Sequence, residues 1–211
     1  MIKLCVFDFD STLIQEETID ELARAYGVYD KVSLITEKAM SEGLSFFESI
    51  QKRVKLLKGM DISLVNKVCS NLHPTCGAKE LISFLKQHDV DSIVFSGGFY
   101  NATNYFKNIL GYKESFANSL EIKNDSLTGN VFGQMLSSDA KGVMLSKIKN
   151  ILNMQKEEVM CVDDGANDIS MFNESGLKIA FCAKDILKNK ADFCIDIKDM
   201  REIIKVIKNE I

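Results

Sequence analysis

Two acidic side chains, Asp8 and Asp10, flank a single phenylalanine at the end of the first apolar run of the chain. In extended backbone, residues i and i+2 point to the same face, so both carboxylates can converge on one site. An isolated Asp-x-Asp pair is more often a solvated strand end. Its meaning therefore depends on which other groups reach the same place.

Three further segments carry groups of complementary chemistry. Ser96-Gly97-Gly98-Phe99 ends an apolar run and opens a helical pattern, so its backbone can approach an anion closely. Lys141 stands at the start of another helical pattern, and the polar segment 162–168 follows a third apolar run. The Ser96 segment and Lys141 are weak signals alone, whereas the polar segment 162–168 is harder to dismiss as surface. Together they place carboxylates and a cation beside Asp8.

The carboxylates Asp8, Asp10, Asp164 and Asp168 are tenable together only with cations among them. Two such groups about 4 Å apart repel by roughly 4 kcal/mol at an effective dielectric near 20. Mg²⁺, a hard cation that takes oxygen ligands, suits the set, and Lys141 supplies a second positive charge. No Gly-Lys dipeptide occurs, which excludes a Walker A loop and indicates a carboxylate-type phosphate site.

Short apolar runs alternate with amphipathic segments, which predicts an α/β fold with a doubly wound parallel sheet covered on both faces. The predicted strands are Lys3–Asp8, Ser92–Ser96, Val159–Asp163, Leu177–Phe181 and Asp192–Ile195, and Leu120–Gly133 is predicted as a β-hairpin. The predicted helices are Ala78–His88, Tyr100–Leu110, Ala140–Leu152 and Asp199–Lys208. In such sheets ligands bind beyond the carboxyl ends of the strands.

One region, 16–72, instead shows consecutive helical patterns and no convincing strand. A Thr18-x-x-Glu21 capping box predicts the start of its first helix. Ser45-x-x-Glu48 predicts the start of another, closed by Gly59. We therefore predict a helical cap (15–73) inserted after the first strand of a catalytic core (1–14 and 74–211), with Pro74 at the return.

Composition limits the remaining choices. The 211 residues carry a net charge of −4, which gives no reason to expect nucleic acid or a membrane as partner. The N-terminus lacks the features of a signal peptide, so a cytoplasmic location is expected. Six cysteines form no Cys-x-x-Cys pair, and those in apolar runs are expected to be core residues.

Taken in order, the four segments resemble the motifs of the haloacid dehalogenase-like (HAD) phosphatases, and the resemblance covers essentially the whole chain. Within the family, 8–13, 17–21 and the helical cap resemble members that act on O-phospho-L-serine. The resemblance implies a Rossmann-like core and Mg²⁺-dependent hydrolysis of that ester to L-serine and phosphate, the last step of serine biosynthesis. Transfer to an acceptor alcohol such as homoserine, another small phosphomonoester and an inactive phospholigand-binding protein remain alternatives.

The resemblance also assigns roles to individual residues. Asp8 is the expected nucleophile and Asp10 the expected proton donor and acceptor. Mg²⁺ is expected on Asp8, the Asp10 carbonyl and Asp164, with Asp168 behind them holding Lys141 or a metal-bound water. The groups expected to hold or orient the phosphoryl oxygens are Ser96, the Gly97 amide, Lys141 and Asn167.

The cap is expected to select the substrate. Glu17 would meet the ammonium group and Arg53 the carboxylate, while Met40 and Phe46 would close over the ester. Without the family pattern, these four residues read as ordinary helix-surface and core positions. One departure is Asp163, which stands where the family usually has glycine. It competes with Asp164 as the metal ligand. Whether the protein is a monomer or a homodimer stays open.

Overall fold

The computed structural model describes residues 1–42, 45–165 and 169–211, and for 39–42 it describes the backbone only. Asn167, Asp168 and the side chain of Met40 lie outside the described residues, so their assigned roles remain predictions. No helix in the described part of the chain is long and apolar enough to cross a membrane.

A seven-stranded sheet forms the centre of the described structure, in the order β4-β3-β2-β1-β5-β6-β7. All neighbouring strands are parallel except β3 and β4. The strands are β1 (Leu4–Asp8), β2 (Asp91–Phe99), β3 (Glu114–Lys123), β4 (Ser126–Gly133), β5 (Val159–Asp163), β6 (Leu177–Phe181) and β7 (Phe193–Ile195).

Helices cover both faces of the sheet. They are α1 (Thr18–Tyr26), α2 (Tyr29–Glu42), α3 (Phe46–Lys55), α4 (Ile62–Ser70), α5 (Ala78–Gln87), α6 (Tyr100–Leu110), α7 (Ala140–Leu152), α8 (Ile169–Asn173), α9 (Asp185–Lys188) and α10 (Arg201–Ile207). Along β1, Cys5 and Phe7 join one apolar cluster while Leu4 and Val6 join another on the opposite face. This alternation of two buried faces confirms the predicted α/β fold class.

Helices α1–α4 lie between β1 and α5, in the segment predicted to be helical. The reciprocal hydrogen bonds of the Ser45–Glu48 capping box are present at the start of α3. That helix ends at Lys55, before Gly59, because the following residues turn toward the hairpin. The ends of the segment meet where Ile14 and Pro74 form an antiparallel bridge.

The predicted capping box at Thr18 is wrong. Thr18 is the first residue of α1, and Glu17 precedes it without a side-chain capping bond. The amide of Thr18 donates to Asp10 Oδ1 at 2.7 Å, and its hydroxyl donates to the same oxygen. A carboxylate from the β1 turn thus occupies the position at the helix N-terminus that a local cap would fill.

The predicted hairpin is present, but its first strand begins at Glu114 rather than Leu120 because β3 also pairs with β2 inside the sheet. Its tip contacts the segment between α3 and α4. Gly59 N donates to Leu127 O at 2.8 Å, and Leu127 N donates to Met60 O at 2.9 Å. The hairpin therefore supports the helices that stand over the sheet edge.

Cysteine labelling tests the core. Cys5, Cys69 and Cys161 are buried, whereas Cys76 and Cys194 are exposed. Burial raises the pKa of Cys69 and Cys161 to about 12 and that of Cys5 well above its ordinary value. Since the thiolate is the reactive form, iodoacetamide at pH 8 should label the two exposed cysteines at least about a hundredfold faster than the three buried ones. Peptide mass spectrometry measures this. If the three buried cysteines were labelled at the same rate before and after denaturation, that result would contradict their burial.

Candidate active site

Polar side chains converge where β1, β2 and β5 end. Asp8 is the last residue of β1 and pairs in register with Phe95 of β2, while Phe7 pairs with Val162 of β5. A pocket of about 570 Å³ lies between this edge and helices α1–α3. It is lined by Asp8, Asp10, Glu17, Ile19, Asp20, Thr36, Phe46, Ser49, Ile50, Arg53, Gly97, Gly98, Ser138, Asp164, Gly165 and Lys184.

An irregular turn over Phe9–Leu13 directs Asp10 back over the end of β1. Ser11 has a φ of 59°, in the left-handed region, and its amide donates to Glu16 O at 3.0 Å. The Asp10 carboxylate accepts from Thr18 on one oxygen and from the Ser96 hydroxyl, at 3.3 Å, on the other. Both carboxylates of the Asp-x-Asp pair thus reach the pocket, although the intervening backbone is not a regular strand.

Lys141 lies between two buried carboxylates. Its ammonium donates to Asp8 Oδ1 and lies 3.5 Å from Asp163 Oδ2. Asp163 has no exposed side-chain surface, and its Oδ1 accepts from Gly165 N at 2.8 Å. Burying an ammonium group requires such compensation, because an uncompensated buried charge is strongly destabilising.

Three carboxylates could hold a cation together. Oxygens of Asp8, Asp163 and Asp164 lie within 4.8 Å of one another. The Thr12 hydroxyl donates to Asp164 Oδ1 at 3.3 Å, which orients that carboxylate. A set of carboxylate oxygens is the kind of site that Mg²⁺ prefers, so the donor chemistry fits the ion expected from the sequence. Asp163 belongs to this cluster as well as Asp164, so the geometry leaves both as possible ligands.

The surroundings alter the acidity of two carboxyl groups that line the pocket, those of Asp10 and Glu17. Burial raises the pKa of Asp10, and hydrogen bonds from Thr18 and Ser96 together with the charge of Lys141 lower it only in part. Burial and then the Asp10 charge raise the pKa of Glu17 to about 7, against a hydrogen bond from Ser11. A raised pKa favours the protonated form of a carboxyl group, which is the form that a general acid needs.

The helical wall of the pocket carries the charged residues predicted to select the substrate. Glu17 and Arg53 both line the pocket, as does Phe46. Burial lowers the pKa of Arg53, and the charges of Glu17, Asp20 and Asp10 oppose that shift. An arginine held among three carboxyl groups keeps its charge in a partly desolvated place.

Sequence reasoning missed several pocket residues. Asp20 lies one helical turn beyond Glu17, and this spacing could have indicated that both face the pocket. Burial raises the pKa of Asp20, against the charges of Arg53 and Arg24. Lys184 and Ser138 also line the pocket, but they come from loops that no sequence pattern linked to the site. The sequence predicts a local capping partner for Thr18, whereas in the structure Thr18 donates to the Asp10 carboxylate.

These features define a hydrolase site at the carboxyl edge of a doubly wound sheet, and the chain belongs to the haloacid dehalogenase-like hydrolase family, whose pattern it matches over residues 2–176. It is 55% identical to the phosphoserine phosphatase of Campylobacter jejuni subsp. doylei, over 98% of this chain and 100% of the relative. It is 52% identical to the phosphoserine phosphatase of Methanocaldococcus jannaschii, over 98% of each chain.

Solved structures agree with these relatives. The structure described as a phospho-aspartyl intermediate analogue of phosphoserine phosphatase superposes with a TM-score of 0.91 at 51% identity, covering 97% of this chain and 98% of that one. A substrate-bound phosphoserine phosphatase complex superposes with a TM-score of 0.91 at 50% identity, covering 98% of each. The resemblance to HAD phosphatases is therefore confirmed at the level of the family and the fold.

Proposed function

We propose that this protein hydrolyses O-phospho-L-serine to L-serine and phosphate in the cytoplasm, as the last step of serine biosynthesis. The observation that carries the proposal is the division of charge in the pocket. Asp8 and Lys141 meet at the strand edge, while Glu17 and Arg53 line the helical wall. A phosphorylated amino acid would use both parts of the pocket. Its phosphate would lie at the strand edge, while its ammonium would pair with an acid and its carboxylate with a guanidinium on the helical wall. The names of the relatives agree with this.

In the proposed reaction the Asp8 carboxylate attacks phosphorus, and the bond from phosphorus to the seryl oxygen breaks. Asp10 gives its proton to that oxygen, and the burial that raises the pKa of Asp10 favours the protonated form needed. Asp10 then takes a proton from the water that hydrolyses the aspartyl-phosphate, which frees Asp8. Lys141, the Ser96 hydroxyl and the Gly97 amide would hold the phosphoryl oxygens.

Mg²⁺ is the proposed cofactor. We assign it to the Asp8 carboxylate, the Asp10 carbonyl and Asp164, in keeping with the acidic cluster at this edge. Bound there, Mg²⁺ would supply positive charge that offsets the charge of the phosphoryl oxygens. Asn167 is proposed to orient the phosphate, and Asp168 is proposed to hold Lys141 or a metal-bound water.

A substrate panel with Mg²⁺ tests the proposal. Release of phosphate should be fastest from O-phospho-L-serine and slower from phosphothreonine, sugar phosphates and a generic aryl phosphate. Equal turnover of all of them would refute the substrate while leaving the chemistry standing. Added homoserine should not divert labelled phosphate from water, and diversion would instead indicate a phosphotransferase.

Substrate binding should depend on pH through Glu17. Because the pKa of Glu17 is raised to about 7, its carboxylate form becomes dominant above that pH and can then pair with the substrate ammonium. KM for O-phospho-L-serine should therefore fall as pH rises from 6 to 8, by roughly tenfold. Glu17→Gln should flatten this dependence. An unchanged profile in that variant would show that another group titrates.

Two neighbouring glycines allow a matched comparison. A Cβ on Gly98 would lie 2.6 Å from Asp10 Oδ2, whereas a Cβ on Gly97 would lie 2.6 Å from the ring of Phe46. Gly98→Ala should lower kcat by about tenfold to a hundredfold because it displaces the proton donor. Gly97→Ala should chiefly raise KM. The added methyl group would push aside the ring of Phe46, which is expected to close over the ester, and the ring can rotate away without moving Asp10. Steady-state kinetics distinguish the two, and the reverse pattern would contradict the assignment of Asp10.

A further inference from the structure

Asp163 is a buried carboxylate that the proposed reaction does not use. Its side chain is 0% exposed, and its two oxygens face different groups. Oδ1 accepts from Gly165 N at 2.8 Å, and Oδ2 lies 3.5 Å from Lys141 Nζ. Asp163 thus connects the loop after β5 to the ammonium group of Lys141 at the centre of the site.

The position of Lys141 gives Asp163 an electrostatic consequence. Lys141 donates to Asp8 on one side and faces Asp163 on the other. At close range in a buried place, a carboxylate offsets much of the field that an ammonium exerts on a third charged group. A phosphate dianion next to Lys141 would therefore be attracted less strongly than if Asp163 were neutral.

We propose that Asp163 is a positioning residue that holds Lys141 and weakens the binding of phosphate, so that product leaves the site readily. This inference rests on the proposed function, because it places phosphate beside Lys141. Asp163 acts here through its negative charge and through the hydrogen bond to Gly165. It is not itself a ligand of the metal in this proposal.

Two substitutions separate charge from structure. Asp163→Asn keeps the volume and an oxygen that can accept from Gly165, but it removes the negative charge. Asp163→Gly removes both the charge and the acceptor. If charge sets phosphate affinity, both variants should bind inorganic phosphate more tightly, and only Asp163→Gly should also lose the contribution of the Gly165 hydrogen bond to thermal stability.

The experiment is calorimetric titration of inorganic phosphate into each protein in saturating Mg²⁺, with Mg²⁺ affinity measured separately without phosphate. The expected result for Asp163→Asn is a phosphate Kd lowered at least about fivefold with Mg²⁺ affinity changed by less than about threefold. Slower release of phosphate from this variant would then limit turnover, so kcat and KM for O-phospho-L-serine should fall together.

The results that overturn the inference are equally definite. Unchanged or weaker phosphate binding in Asp163→Asn refutes the electrostatic role. Loss of Mg²⁺ affinity by more than about threefold shows that Asp163 acts on the metal site, as a ligand or behind one, and contradicts a role through Lys141 alone. Titration of phosphate does not depend on turnover of any ester. Failure to hydrolyse O-phospho-L-serine would therefore refute the proposed function by itself, separately from this inference.

Discussion

Asp8→Asn is expected to abolish phosphate release, with kcat reduced by about 10⁴-fold or more. Asparagine has nearly the same volume as aspartate, but its amide cannot attack phosphorus. The substitution also places a neutral group against Lys141, the cation that donates to Asp8. Phosphate release from O-phospho-L-serine in Mg²⁺ measures the loss. Thermal unfolding of the same sample shows whether the fold persists.

Acid quenching with labelled substrate extends this test. Wild-type protein should retain label on one aspartate, and Asp8→Asn should retain none. Asp10→Asn should accumulate label, because the intermediate forms slowly but decays still more slowly without a base for water. Residual activity above about one per cent in Asp8→Asn, or label on another residue, would show that the nucleophile lies elsewhere.

Arg53→Ala is expected to produce the second largest effect, a loss of about a hundredfold in kcat/KM for O-phospho-L-serine. A guanidinium that pairs with a carboxylate in a partly desolvated pocket contributes roughly 2 to 3 kcal/mol to binding. Burial lowers the pKa of Arg53, which indicates that its guanidinium lies in such surroundings. Turnover of an aryl phosphate that lacks the amino-acid group should change by less than about threefold.

Arg24→Ala is the matched control for this substitution. Arg24 also lies in the helical segment, but it pairs with Glu21 and stacks over the Tyr29 ring, 3.4 Å from the ring centroid. Arg24 does not line the pocket, so its removal should leave the turnover of both O-phospho-L-serine and the aryl phosphate unchanged. Parallel losses in the two arginine variants, or an equal loss with the aryl phosphate, would place Arg53 outside substrate selection.

Much of the site could be predicted because its groups follow apolar strands. The run that ends at Asp8 and the run that ends at Asp163 are buried on both faces, so a parallel sheet brings their ends to one edge. Lys141 could be placed there because its helix begins at the same edge. Ser45 and Glu48 cap α3 as predicted because every partner in that motif is local.

The errors arose where the partner is distant in sequence. Thr18 has a local candidate partner in Glu21, but the Asp10 carboxylate reaches the helix N-terminus first. Sequence periodicity could not show this, because the irregular turn at Ser11 determines where Asp10 points. The start of β3 at Glu114 depends on pairing with β2, which no local pattern reveals. Lys184 lines the pocket from a loop, and no local pattern reveals that position either.

The meeting of Ile14 with Pro74 has a consequence for protein engineering. Gln15 N donates to His73 O, and Thr75 N donates to Leu13 O, each at 2.9 Å, so the chain leaves the sheet before helices α1–α4 and returns to it after them through one short ribbon. An insert whose ends coincide can be exchanged as a cassette without redesigning the strands beneath it. A transplanted helical segment would need a new contact for the hairpin tip at Leu127 and a new donor to Asp10 in place of Thr18. With both supplied, the proposed selection of substrate could be recombined with the proposed chemistry.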